Sequence, residues 1–313
     1  MTLTAAPFYS DVCPAGENAT AYWAHTSDNK RIRLAVWAEN AARGTVLLFP
    51  GRTEYVEKYA AYAADLESRG YCTIAADWRG QGLADRLLDD PMVGHVERFH
   101  DYQKDVDALV SAATELNLPK PYYLVAHSMG GAIGLRALAN GLAVKAAVFS
   151  APMWGIHLAP HLRPVAWILS HLMPILGKGA SHPPNTSPES YVLTADFEDN
   201  MLTSDPQMFE LMTDQVAKYD ALGLGGPSYV WLREALKETR SLAALRSPKV
   251  PTLTFLGTNE RIVRVSSVHD RMRRWANGAL ELVQDAEHEI LMEQQSIRDS
   301  ALDQIAALFT DHS

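Results

Sequence analysis

Short apolar runs rich in β-branched or aromatic residues, alternating with stretches of helical periodicity, constrain the fold of this 313-residue chain more than any other feature. "TVLLF" (45–49), "YCTIAA" (71–76), "YYLVA" (122–126), "KAAVF" (145–149), "PTLTFL" (251–256) and "ALELV" (279–283) have the length and apolarity of strands buried on both faces. Two earlier runs, "TAYWAHT" and "RIRLAVW", read as a strand pair. Between the runs, Val56, Tyr59, Ala60 and Ala63 share one helical face, and Gly70 supplies the stop. Val106, Leu109, Val110 and Ala113 do likewise in the next helix. This alternation predicts a doubly wound, mostly parallel α/β sheet, and 47% hydrophobic residues suffice to give it a full core.

The alternation fails once. From about Met153 to Ser247 only helical stretches occur, punctuated by Pro and Gly, and the sheet pattern resumes at "VPTLTFLG". The chain therefore divides into a core of residues 1–152 and 248–313 and an inserted helical cap, 153–247. Its first helix, near "RPVAWILSHLMP", has Pro164 suited to the first turn, Pro174 as terminator, and Val165, Ile168, Leu169 and Leu172 along one face. Trp167 and Met173 make the other side apolar as well. Helices starting at Ser204 or Asp205 and running through "PSYVWLREALKET" complete it.

A formal net charge of −9, with no basic block carrying interleaved aromatics, argues against nucleic-acid binding. Cys13 and Cys72 are too few for a disulfide framework, and Cys72 sits in an apolar run where a thiol acts as a small hydrophobe. No His/carboxylate cluster, P-loop or dinucleotide glycine fingerprint is present, so neither a metal nor a cofactor is expected. The first residues lack a basic start and a long apolar stretch, which points to a cytoplasmic setting.

"YYLVAHSMGGAIG" carries the chemistry. A strand and a helix joined by "HSM" force a sharp turn with Ser128 at its apex, and Gly130 relieves the crowding there. Such a turn lifts a hydroxyl clear of the backbone and sets a helix N-terminus behind it, although serine is also a favoured helix cap. A base belongs after the last strand, where "AEHEIL" places His288; the alternative for His288 is a helix-start residue on a polar loop. After "PTLTFL" the carboxylate of "GTNERIV" is Glu260, suited to orient an imidazole, or else to pair with Arg261 or Arg264. Asp285 reads as a loop-shaping residue and Asp77 as a turn anchor. Oxyanion donors would be the backbone N–H groups of Met129 and of Arg52 in "PGRTEY", since Pro50 has none to give.

"FPGRTEYVEKYA", "ADWRGQGLAD", "GHVERFHDYQKDV", "LVAHSMGG", "GGPSYVWLREAL", "GTNERIV" and "AEHEIL", in this order, resemble the bacterial lysophospholipase and monoacylglycerol lipase branch of the α/β-hydrolase family. The resemblance implies an eight-stranded, mostly parallel sheet with a cap inserted after the sixth strand, and a serine esterase acting on single-chain lipids. It puts the triad on Ser128, Glu260 and His288 and the oxyanion donors on Arg52 and Met129. Pro50-Gly51 replaces the His-Gly of many members, and Glu260 replaces their Asp. The substrate expected is a lysophospholipid or monoacylglycerol, with cap residues such as Trp167 or Leu172 either packed in the cap or resting on the inner membrane face. The Arg52 guanidinium either meets a lysophospholipid phosphate or pairs with Glu54, Glu57 or Asp77. Other readings are a peptidase holding a substrate ammonium with Glu198, Asp199 or Asp214, a thioesterase or short-chain esterase, and a non-catalytic binding relative.

Overall fold

A computed structural model of the chain describes residues 2–184 and 186–313. After a two-residue edge strand β1 (Thr4–Ala5) come β2 (Thr20–His25), β3 (Arg31–Trp37), β4 (Thr45–Phe49), helix α1 (Ala60–Ser68) and β5 (Cys72–Asp77). Then follow α2 (Tyr102–Glu115), β6 (Tyr122–His127), α3 (Met129–Ala139) and β7 (Ala147–Ser150). Strand order in the nine-stranded sheet is β1-β2-β3-β5-β4-β6-β7, then β8 (Thr252–Gly257) and β9 (Gly278–Val283). The expected eight strands are thus joined by β1 at one edge. The first three strands are antiparallel to their neighbours, and from β5 across to β9 all pairs are parallel.

Successive side chains of a central strand feed opposite cores, which is why these runs are apolar throughout. Leu47 and Phe49 of β4 face the layer containing α2 and α3, while Val46 and Leu48 face the layer containing α1. The last helices, α8 (Val265–Met272) and α9 (Gln295–Asp311), each join one of these layers: Val268 packs with α2 and α3, Ile305 and Phe309 with α1. The run 279–283 departs from its reading as buried on both faces. It is the edge strand, and its residues alternate with Leu282 half exposed. In the α1 region a 3-10 turn over Val56–Tyr59 precedes the helix, and Val56, Tyr59, Ala60 and Ala63 are all buried as read.

Between β7 and β8 the described residues form helices and no strand of the sheet: α4 (Arg163–Ile175), α5 (Tyr191–Thr194), α6 (Pro206–Lys218) and α7 (Tyr229–Ala244), with short 3-10 turns and two isolated bridges. Asp205, not Ser204, caps α6, accepting from the amides of Gln207 and Met208, with Pro206 in the first turn. Ser228 caps α7 by accepting from Trp231 N. Helix α4 runs one residue past the proline read as its terminator. Pro174 lies inside its last turn, one residue before the end, and the face of Val165, Ile168 and Leu172 is exposed. Only Ser170 of α4 is buried: the helix packs on α7, Val165 and Leu169 border a cavity beneath it, and Ile168, Leu172 and Ile175 are exposed.

Candidate active site

Strand β4 lies between β5 and β6, so the chain crosses in opposite directions from it, and the loops after β4 and β6 border one crevice at the carboxyl end of the sheet. Ser128 stands between β6 and α3 with φ 49° and ψ −115°, a conformation costly for a residue bearing a Cβ. Three backbone hydrogen bonds hold it there: its N–H donates to Ser150 O (3.0 Å), and its carbonyl accepts from Gly131 N (2.9 Å) and Met153 N (2.8 Å). A Cβ on Gly130 would meet Phe49 O at 2.1 Å, so only glycine lets α3 start this close to β4.

His288 reaches Ser128 from the loop after β9. Its Nε2 lies 2.8 Å from Ser128 Oγ and its Nδ1 2.7 Å from Glu260 Oε2. All three residues are buried. The other carboxylate oxygen of Glu260 accepts from the amides of Ile262 (2.6 Å) and Val263 (2.8 Å), which fixes the group facing the ring. Burial pushes the Glu260 carboxyl up, but His288 and these two amides outweigh it and hold the group below the usual glutamate range. An ionised Glu260 selects the Nδ1–H tautomer of His288 and leaves the Nε2 lone pair toward Ser128, the arrangement of a general base. Arg261 and Arg264 instead contact Glu287 and Ser267. Asp77 takes the amides of Val56 and Leu83, as a turn anchor does, and Asp285 sits exposed in a loop turn with φ 58°.

The amides of Met129 and Arg52 donate to no protein acceptor among the described residues. Arg52 is followed by Thr53 at φ 66°, a strained position for a β-branched residue, and preceded by Gly51, whose N–H donates to Glu54. Glu54 belongs to a buried cluster that sequence reasoning missed. Lys58 Nζ lies 2.7 Å from Glu54 and 2.6 Å from Glu289, and Tyr59 OH donates to Glu54 (2.6 Å). Burial would raise the Glu54 carboxyl, yet Lys58 and the neighbouring His127 bring it down to about 2. The signal was the Glu54/Lys58 spacing within "TEYVEK", but Glu289 joins from a loop far along the chain. Glu54, His127 and Glu289 offer ligand atoms within 4.8 Å of one another, with the Lys58 ammonium already supplying the cation between the carboxylates. His127 is held neutral: burial first, then His288 and Lys58, lower it to about 3, and its Nδ1–H donates to Ser150 O (3.1 Å).

Above Ser128 and His288 opens a cavity of about 640 Å³ lined mostly by apolar cap and core residues, including Met153, Leu158, Val165, Leu169 and Leu224. Arg52 lines it too, and among the described residues no carboxylate pairs with its guanidinium. The expected partners are taken: Glu57 and Asp77 by Arg33, Glu54 by Lys58. Glu198, Asp199 and Asp214 are exposed and lie outside the cavity lining, so they cannot hold a substrate ammonium there.

Residues 40–295 match the family model described as "Serine aminopeptidase, S33". The chain is 33% identical to lysophospholipase L2 of Escherichia coli K12, over 86% of this chain and 81% of that protein. It is 30% identical to the probable lysophospholipase L2 of Haemophilus influenzae, over 89% and 88%. A solved structure of a soluble variant of the Saccharomyces cerevisiae monoglyceride lipase, in complex with a substrate analog, superimposes with a TM-score of 0.72 at 18% identity, covering 93% of this chain and 95% of that one. That likeness is one of fold. With a mostly parallel sheet, a serine at the strand-to-helix turn and a family match spanning most of its length, the chain belongs to the S33 family of α/β-hydrolases.

Proposed function

We propose that the chain is a serine carboxylic-ester hydrolase that cleaves single-chain lipid esters, a lysophospholipid or a monoacylglycerol, through an acyl-enzyme on Ser128. The observation that carries the reading is the relay Ser128–His288–Glu260 on the floor of an apolar cavity. His288 Nε2 takes the Ser128 proton as Oγ attacks the ester carbonyl. The amides of Met129 and Arg52 receive the oxyanion, and His288 then protonates the departing alcohol. Water, activated by the same imidazole, releases the fatty acid. An apolar chamber of this size favours an acyl chain over a peptide's polar backbone, and names of the curated relatives agree with a lipid ester.

No helix among the described residues is long and apolar enough to cross a membrane. The outer face of the cap supports peripheral contact instead, with Ile168, Leu172, Ile175 and Leu176 more than two-fifths exposed. Core residues 1–152 and 248–313 then hold the chemistry, and the cap 153–247 meets the lipid surface, at the inner membrane face in a cytoplasmic protein.

Turnover of lysophospholipids, monoacylglycerols, p-nitrophenyl esters and aminoacyl amides by the protein and its Ser128→Ala variant tests this. Lipid-ester turnover is expected to fall by on the order of 10⁴-fold or more in the variant, with loss of fluorophosphonate labelling. Preference for aminoacyl amides would overturn the reading.

A further inference from the structure

Among the described residues Arg271, which is buried, and Arg52 and Arg86, which are half-buried, have no ion-pair partner, and two of the three are accounted for by carbonyls. Arg271 donates to the carbonyls of Leu242 and Leu245 and to Ser247, and Arg86 to those of Gly80, Ala221 and Gly223. Both act as pins between segments of the chain. Arg52 differs. Its guanidinium has one protein acceptor, the carbonyl of Gly225, through Nη2. Its Nε is buried with no partner, and the planar group lies 5.3 Å from the centroid of the Trp231 ring. Gly94 backs it so closely that a Cβ there would meet Nη2 at 2.6 Å.

A guanidinium with unused donors on the wall of an apolar chamber is costly to maintain for a neutral ligand. Desolvation lowers the guanidinium pKa to about 10; the Tyr102 hydroxyl opposes this only in part, and no carboxylate does. The position is informative as well. The same number of bonds separates the Arg52 amide nitrogen from its Cζ as separates the ester carbonyl carbon of an sn-1 lysophospholipid from its phosphorus. A residue whose amide meets the oxyanion therefore has a side chain of the right reach for the phosphate of the same molecule.

From this geometry we infer that Arg52 is a specificity-determining residue whose guanidinium binds the phosphodiester of a lysophospholipid headgroup, selecting it over a neutral monoacylglycerol. The inference rests on the lipid-ester reading above and narrows it. Arg is suited to the task because its planar fork meets two phosphate oxygens at once, while Trp231 holds the fork in orientation.

The test uses two non-hydrolysable octyl ethers, 1-O-octyl-glycero-3-phosphocholine and 1-O-octylglycerol, as competitors of p-nitrophenyl butyrate hydrolysis, below their micellar concentrations. The protein is expected to bind the phosphate ether tighter than the neutral ether by about 10-fold or more, and Arg52→Gln to abolish the difference. Arg52→Lys keeps the charge and is expected to keep part of the preference. Equal affinity of the unsubstituted protein for the two ethers, or a preference that survives in Arg52→Gln, overturns the inference; so does an equal loss of both affinities, which marks Arg52 as a pin for the cap. Turnover of octanoyl-lysophosphatidylcholine in the same assay separates the two claims. A protein that prefers the phosphate ether but leaves that ester intact retains the anion site and loses the lipid-ester reading.

Discussion

Around Ser128 the polar side chains are buried and tied to partners: Ser128 to His288, His288 to Glu260, Glu260 to two amides, His127 to Ser150. Helix α4 walls the same cavity and is built the other way, with apolar residues turned to solvent and one buried side chain in thirteen residues. The contrast teaches a division of labour. The proposed relay, whose groups must be aimed to within a fraction of an ångström, is over-determined by hydrogen bonds, while the wall proposed to receive a flexible acyl chain keeps apolar surface exposed among the described residues. The two regions still meet. The amide of Glu289, next to His288, donates to Leu202 O of the cap (2.7 Å), and Arg261 donates to Asn200 O (2.6 Å).

The strongest test of over-determination is Glu260→Gln. The amides of Ile262 and Val263 would hold the new carboxamide oxygen and leave its NH₂ facing His288, which then must accept at Nδ1 and carry its proton on Nε2. Nε2–H cannot take the Ser128 proton, so kcat is expected to fall by about 10⁴-fold with little change in KM. A fall below about 10-fold removes Glu260 from the relay.

A second test reads the same region through stability. His127 titrates near 3 in the folded protein against 6.5 when exposed, so between these values the unfolded chain binds the extra proton and acidification destabilises the fold. The stability of the protein should therefore fall by up to about 1.4 kcal/mol per pH unit more steeply than that of His127→Gln between pH 5.5 and 4, measured by urea unfolding. Glu260 and Glu54, both held low, add a loss of the same sign as pH falls from the ordinary glutamate range through their depressed values, and the comparison with His127→Gln sets this shared loss aside. Parallel stability curves for the two proteins would mean that His127 is protonated in place.

The core was legible because its signals are local. Each central strand announces itself as an apolar run, and each proposed site residue lies within a few residues of a strand end, so Ser128, Glu260 and His288 follow from where strands stop. Their juxtaposition has its own cause in the parallel order β6-β7-β8-β9, which brings these ends side by side. The Glu54–Lys58–Glu289 cluster was not legible, since Glu289 comes from a loop more than two hundred residues away. At α4 the sequence left two placements open for a different reason. An amphipathic pattern predicts a face that must be covered but cannot say by what, and here Val165 borders the cavity while Ile168 and Leu172 are left exposed among the described residues. That the Arg52 guanidinium has no carboxylate partner among the described residues was likewise not legible, because a row of nearby carboxylates in the sequence made an ion pair the simpler reading.

The smallest effect on folding, and the one that bears most on the cap, is expected from Ile168→Glu and Ile175→Glu. These side chains are 58% and 81% exposed, so each substitution should change stability by no more than about 0.5 kcal/mol. On a lipid surface the same change removes an apolar contact and adds a charge to be buried in the interface. Binding to zwitterionic phosphatidylcholine vesicles, chosen because a net charge of −9 repels anionic ones, should weaken by about 10-fold per substitution in flotation assays. Hydrolysis of vesicle-borne lipid should fall more than hydrolysis of a soluble ester. If vesicle binding were unaffected while stability dropped by several kcal/mol, α4 would be ordinary packing surface, and the contrast between the two walls of the cavity would collapse.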